Sequence, residues 1–521
     1  MTSTRRRARR SLCVTLALLL ALVAVGPAGA AASADRGATA AAAAATAPDP
    51  AQLRQAVANA TGEAKRAARA LGVHVVRVDD GVEIYDLAAD TQRIIASNTK
   101  LPTAAAALVR LGPDFAFDTP LLVRGELDRA SRTLRGDVAI LGRGDPTFSG
   151  RFHDGDSYAR FRPWAQRLRR LGVDRVEGRV VLVTGYFSDG IIHPDWPRDQ
   201  LDRWYEAPVS ALSFNDNCIL VQVRPGGSQA GATVRGTSVP HLPERFPVTG
   251  GVEVTNSSRR HAVMIARSGP RVGANTPLRV GGRIYRKRAL VDRWVAVYDP
   301  VDYFDAALRA AFAEEGVTLT DAVTETRATL PPAPAALPWR QLTSARTELL
   351  PVLAVVNKRS QNFFAEMVLK TLGAEVAGDG SWEGGLGVVR DALTELGVPA
   401  RTYRLADGSG MSRNNTMSPR GLTALLGAMH HHPTGPAFAS TLPYGGEEDL
   451  PRWSKRLAAP PYRGNALAKT GSLRAVSTLS GYARGRSGTL YAFSILGNQV
   501  RGGGAMRRGQ DAIVRALIDH G

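Results

Sequence analysis

Lysine is scarce in this sequence, seven residues out of a Lys+Arg total of 66, and two of the seven stand where they can do chemistry. Ser97-x-x-Lys100 sets a hydroxyl and an amine one helical turn apart on one face. A serine hydroxyl is a poor nucleophile unless a base removes its proton, and an ordinary lysine is charged at neutral pH. For Lys100 to act as that base, its pKa must fall by roughly three pH units, about 4 kcal/mol. Burial and a nearby cation both push in that direction, and Lys469 is the candidate cation. Ser360-Gln361-Asn362 adds a second hydroxyl and an amide: Ser360 to relay a proton to a leaving amine, Asn362 to orient Lys100 or a substrate amide. In Lys469-Thr470-Gly471 a cation and a hydroxyl stand beside a residue without a side chain, ahead of a candidate edge strand. Lys469 and Thr470 would hold a terminal carboxylate. The backbone N–H groups of Ser97 and Ser472 are the candidate oxyanion donors.

Each motif alone is commonplace in exposed loops and helix starts. All three in this order arise by accident in roughly a few chains per thousand of this composition. Together they are the signatures of serine enzymes that acylate on D-alanyl peptides or β-lactams.

The elements that must position these groups are readable in outline. Val73 to Leu87 alternates around Asp79-Asp80-Gly81 as a hairpin, and LPTAAAALVRLG after Lys100 reads as a helix. From 118 to 325 short β-like runs separated by glycine suggest one or two inserted β-rich domains, followed by a proline-rich linker at 326–340. Helical texture resumes at 349–372, 385–396 and 419–430, then strands at 477–484 and 489–498 and a last helix near 510–519. The fold expected is an α/β catalytic body, residues 51–117 and 341–521, split by its insertion.

At the N-terminus five arginines precede the apolar run Leu12 to Val25 and small-residue exits, the pattern of a signal peptide over 1–30. Arg9-Arg10 also permits a twin-arginine route, and an uncleaved anchor is the alternative. Residues 31–50 read as an Ala-rich disordered spacer. An exported chain, periplasmic or extracellular and associated with the cell envelope, is the expectation. Removing the five arginines takes the formal charge from +19 to +14, which suits anionic envelope polymers. No zinc-finger spacing, basic heptad or RNA-binding signature accompanies the charge, so nucleic acid is not expected as a partner. Of the two cysteines, Cys13 lies in the signal and Cys218 enters an apolar strand as a small buried residue. His430-His431-His432 before Pro433 reads as a frayed helix end rather than a metal site.

The blocks IIASNTKLPTAAAAL, GDVAILGRGDPT, APVSALSFNDN, NKRSQNFFAEMVLK, LADGSGMSRNNTMSP and AKTGSL resemble those of the class C low-molecular-mass penicillin-binding proteins, the D-alanyl-D-alanine carboxypeptidase/endopeptidase family. The long interval between Ser97 and Ser360 fits, because that family inserts two extra domains there. The resemblance implies a penicillin-recognising serine-transferase (β-lactamase-like) fold and removal of the terminal D-Ala from peptidoglycan stem peptides, with D,D-endopeptidase action in some members. It also implies β-lactams as covalent inhibitors and no metal or cofactor. Thr470, Gly471 and Ser472 are the candidate substrate-lining residues; Arg413, in the DGSGMSR block, is either a further one or a brace for its loop. The sequence departs from the family where Thr184-Gly185-Tyr186-Phe187 follows GRVVLV in place of a common aspartate. It departs again at YGGEEDLPRW, where a glycine-threonine-leucine pattern is usual. A β-lactamase or esterase using the same Ser-Lys pair, and a non-catalytic envelope-binding protein, are the alternative readings.

Overall fold

The structure, a computed structural model, describes residues 49–268, 276–319 and 323–521. The expected signal and nearly all of the spacer lie outside the described residues. No helix among the described residues is long and apolar enough to cross a membrane.

The catalytic body is built on a five-stranded antiparallel sheet in the order 83–87, 68–77, 490–500, 476–484, 466–473. Its central strands are buried on both faces, so their sequences run apolar with little alternation. On one face Val73, Val75, Leu479, Phe493 and Ile495 pack with Leu53, Val57, Ile513 and Leu517 of the first and last helices, Pro50–Ala67 and Gly503–His520. Tyr482, Ala492 and Leu496 enter the other core, with helices Lys100–Arg110, Leu349–Lys358, Asn362–Leu372, Trp382–Glu395 and Pro419–His431. The result is a helix–sheet–helix sandwich.

The hairpin around Asp79-Asp80-Gly81 is present, with Gly81 at φ +71°. Its first strand starts five residues before the alternation begins, at Ala68, because the C-terminal strand extends the pairing that far. The first helix was not anticipated, although Asp49 caps it and Pro50 opens it.

The stretch expected as one helix over 349–372 is two. The chain breaks at Ser360, which adopts a left-handed φ of +57°, and a second helix starts at Asn362. Apolar residues continue on both sides of the break, so periodicity alone hides it.

The inserted part carries a six-stranded sheet, whose main path runs 323–327, 179–183, 133–141, 116–128, 340–348, and two smaller sheets around 218–223 and 278–285. Strand Arg340–Glu348 pairs with Ala116–Asp128 from Ala116 to Val123. By backbone pairing the insertion therefore closes at 348, and the chain re-enters the helical layer at Leu349. The proline-rich stretch that suggested an earlier return is the approach to this last strand. Phe148, Phe161, Trp164, Phe214, Tyr303 and Phe304 fill the core of the insertion.

Candidate active site

Ser97 lies on a 3-10 turn, Ala96–Thr99, that runs directly into helix Lys100–Arg110. The turn is held from three sides. Thr478 Oγ1 donates to the Ile95 carbonyl at 3.0 Å, Asn98 Nδ2 donates to Ser480 Oγ at 2.7 Å, and Ile95 N–H donates to the Asn415 carbonyl at 3.3 Å. Ala96 itself sits in the left-handed region at φ +48°, a conformation costly for a residue with a Cβ. Two glycines allow the surrounding chain to close on it. A Cβ on Gly410 would overlap the Ala96 carbonyl, and one on Gly471 would reach 2.7 Å from Ile95 O and 3.0 Å from Ser97 N.

Lys100 is fully buried. Its Nζ lies 3.2 Å from Ser97 Oγ, 2.7 Å from Asn362 Oδ1 and 2.5 Å from the Ser409 carbonyl. Two of these neighbours only accept, and the third is a hydroxyl. A neutral amine has two N–H groups and one lone pair, so it can donate to Asn362 and Ser409 and still receive the serine proton. Burial lowers Lys100 to about 7, against the opposing pull of the Glu366 and Asp407 carboxylates.

Lys469 is also buried and donates to Ser360 Oγ at 2.7 Å and to its neighbour's carbonyl, Thr470 O, at 2.8 Å. Burial lowers it well below its usual range, with the charge of Lys100 next and Arg452 after it. Desolvation is the largest cause at both amines, and their repulsion adds to it. The Lys-Thr-Gly triplet, expected ahead of a strand, lies within the edge strand Ala466–Leu473, with Lys469 opposite Ser480 and Gly471 opposite Thr478.

A cleft of about 490 Å³ gathers Ser97, Ser360, Asn362, Thr470 and Ser472. Lys100 and Lys469 sit behind it, each within hydrogen-bond reach of a hydroxyl that faces the cleft. Arg413 is not on that wall. Its guanidinium donates to the Arg474 carbonyl at 3.1 Å, bracing the turn after the edge strand. Thr184 bonds back to the Arg327 carbonyl within the inserted sheet.

Sequence reasoning missed part of the lining: Arg359, Arg452 and Arg474, with Trp204, Tyr205 and Met411. It also missed the support behind Lys100. Buried Glu366 accepts from Gly408 N–H at 3.0 Å, Ser409 N–H at 2.8 Å and Trp382 Nε1 at 3.0 Å, which fixes the segment whose Ser409 carbonyl accepts the Lys100 hydrogen bond. Buried Asp407 accepts from Gly410 and Ser412 N–H at 2.7 and 2.6 Å. A signal was available: Asn362, Glu366 and Lys370 recur every fourth residue along one stripe of an otherwise apolar helix. Among the described residues no cluster of metal-ligating side chains occurs.

A family model described as the D-Ala-D-Ala carboxypeptidase 3 (S13) family matches residues 53–519. The chain is 32% identical over 464 residues to a D-alanyl-D-alanine carboxypeptidase of Actinomadura sp., covering 86% of this chain and 81% of that one. To the D-alanyl-D-alanine carboxypeptidase DacB of Haemophilus influenzae it is 25% identical over 414 residues, 79% of this chain and 81% of the other. The fold is similar to that of penicillin binding protein 4 from Haemophilus influenzae. The TM-score is 0.72 at 23% identity, over 87% of this chain and 98% of that one.

Three outcomes follow from this geometry. With Lys100 as base, the rate of Ser97 acylation rises about tenfold per pH unit below about 7 and levels above it, read from penicillin acylation between about pH 5 and 9. A lysine held at about 7 costs the folded state on the order of 5 kcal/mol at and below neutral pH, a cost that shrinks as pH rises toward 10.5. Lys100→Met therefore abolishes acylation without lowering the thermal midpoint at neutral pH; a flat pH profile or a marked fall in midpoint contradicts the assignment. Gly471→Ala, whose Cβ would press on the Ser97 turn, cuts the acylation rate by about 100-fold with the circular dichroism spectrum unchanged. Wild-type acylation by that variant removes the role given to the close approach.

Proposed function

The chain belongs to the D-Ala-D-Ala carboxypeptidase 3 (S13) family, and from that premise we propose how its own residues carry out the reaction. It is a serine-type D-alanyl-D-alanine carboxypeptidase, a hydrolase that works through an acyl-enzyme. The observation that carries the residue assignment is the triple coordination of Lys100 Nζ by Ser97, Asn362 and the Ser409 carbonyl.

Neutral Lys100 takes the Ser97 proton as Oγ attacks the carbonyl carbon of the penultimate D-Ala. The developing oxyanion lies against the N–H groups of Ser97 and Ser472, two residues that line the cleft. As the C–N bond breaks, the proton that Lys100 took from Ser97 passes to the leaving amine by way of Ser360, which Lys469 holds through their 2.7 Å contact, and Lys100 returns to its neutral form. Thr470 and Ser472 hold the terminal carboxylate, whose charge also draws Lys469 toward its protonated form. Water then attacks the ester, with Lys100 again as base.

Peptidoglycan stem peptides are the substrates, and β-lactams acylate Ser97 as mimics of the D-Ala-D-Ala terminus. A likeness at TM-score 0.65 to penicillin binding protein 4 from Haemophilus influenzae complexed with a β-lactam is in keeping with this. The basic balance of the sequence supports an exported protein held near anionic envelope polymers.

Purified protein given a peptide ending in D-Ala-D-Ala releases free D-alanine, and Ser97→Ala releases none. Exposure to a penicillin adds one adduct mass, mapped to the peptide that contains Ser97. Silence from both proteins overturns the carboxypeptidase reading, and rapid turnover of the penicillin without a lasting adduct marks a β-lactamase instead.

A further inference from the structure

The edge strand Ala466–Leu473 borders a second cavity, of about 380 Å³, that shares Arg452, Thr470 and Ser472 with the catalytic cleft. Its other walls include Arg456, Arg507 and Gln510. Part of this site is built in. Gln510 is 1% exposed; its Oε1 accepts from Arg456 Nη2 at 3.1 Å and its Nε2 donates to Ser477 Oγ at 3.3 Å. Arg456 is fixed further by Asp511 at 2.6 Å. One of the three guanidinium groups is thus neutralised and locked. Among the described residues, Arg452 and Arg507 have no carboxylate within ion-pair distance. Two unpaired guanidinium groups beside the hydroxyls of Thr470 and Ser472 form a site for carboxylates.

Its position gives that chemistry a role. In the reading above, Thr470 and Ser472 hold the carboxylate of the residue that departs. Whatever that residue carries beyond its α-carbon therefore extends along the same strand, toward the cavity that Thr470 and Ser472 also line. Arg452 stands between the two spaces, in the block YGGEEDLPRW where this sequence leaves the pattern of the family it resembles. With a single D-alanine as leaving group, the cavity has nothing to hold.

We propose that this cavity is a leaving-side subsite that receives an anionic extension on the departing amino acid, with Arg452 and Arg507 as its carboxylate ligands. The fitting substrate is a D,D-peptide whose leaving residue bears a longer, carboxylate-ended side chain. The chemical step is unchanged. The acyl carbon–nitrogen bond breaks, the ester to Ser97 Oγ forms, the serine proton ends on the departing amine, and water later restores the hydroxyl. The proposal rests on the carboxypeptidase reading, and the test separates the two.

Three peptides with the same acyl half supply that test: one losing D-alanine, one losing a D-amino acid with a carboxylate-ended side chain, and one losing its neutral isostere of equal length. The parent enzyme favours the anionic over the neutral extension by about fivefold in kcat/KM. Arg507→Ala, an exposed substitution on the last helix, removes that preference while D-alanine release and penicillin acylation stay within about twofold. Arg507→Glu reverses it. The subsite is overturned if the parent shows no preference or if Arg507→Ala keeps it, even though D-alanine is released. If D-alanine is not released at all, the carboxypeptidase reading fails and takes the subsite with it.

Discussion

The desolvation of one amine governs this molecule. Lys100 can act as a base only while it is neutral, and its pKa falls to about 7 because protein replaces water around it. An uncompensated cation there would be costly, and a free amine needs only the acceptors it has. The packing of the helical layer is therefore part of the chemistry. Leu101, Ala104, Phe363 and Met367, on the two helices that carry Lys100 and Asn362, belong to one buried apolar core, and the residues that would favour the charged amine, Glu366 and Asp407, are themselves occupied by backbone N–H groups. The same economy explains Lys469. Two charged amines in one dry site would repel, and Lys469, whose Nζ bonds the Ser360 hydroxyl, is held well below its usual range by burial first and by Lys100 next.

Holding the reacting hydroxyls in place has a conformational cost that the surroundings must overcome. Ala96 and Ser360, the residues at which the nucleophile and the relay serine are presented, both take left-handed backbone conformations without being glycine. Such residues persist when neighbours over-determine them. Here the neighbours are specific: Thr478 and Asn415 on the Ile95 backbone, Gly410 and Gly471 allowing contact at van der Waals range, and Lys469 on Ser360 Oγ. The left-handed turn at Ser360 also lets one side chain face the cleft from between two helices while Asn362, two residues on, reaches Lys100 from the start of the next.

The legible parts of the sequence are those where chemistry or local pattern speaks alone. The scarcity of lysine singled out residues 100 and 469, and the turn glycine at 81 and the alternation around it exposed the hairpin. The boundaries that failed are those set by pairing or contact across the chain. No residue in 349–372 announces a helix break; it is imposed by what Ser360 and Asn362 must reach. Strand Arg340–Glu348 is mostly polar and half exposed, so only its pairing with Ala116–Asp128 identifies it. Arg413 looked like a cleft residue because its block is adjacent to the cleft, yet its direction depends on the carbonyl at Arg474, which sequence cannot supply. The arginines of the wall were invisible for the opposite reason: with so many in the chain, none stands out until the fold brings Arg359, Arg452 and Arg474 together.

The insertion between the first two motifs is more than an appendage. Asn362, whose Oδ1 receives the Lys100 bond, donates its own amide to the Tyr205 carbonyl at 2.9 Å, and Tyr205 belongs to the inserted segment. Two turns along the same helix, Lys370 donates to the Ser188 carbonyl and to Asp189, both inserted. Asp195 accepts from Ser412 and Asn414 in the loop that carries the Ser409 carbonyl, and Asp216 accepts from Gln361 at the helix break. An amide whose oxygen must face an amine is fixed in orientation only if its nitrogen also has a partner; the catalytic body offers the weak acceptor Met411 Sδ at 3.7 Å, and the inserted segment offers the stronger one, the Tyr205 carbonyl. The surroundings of Asn362, and through it of Lys100, are thus completed by the inserted segment.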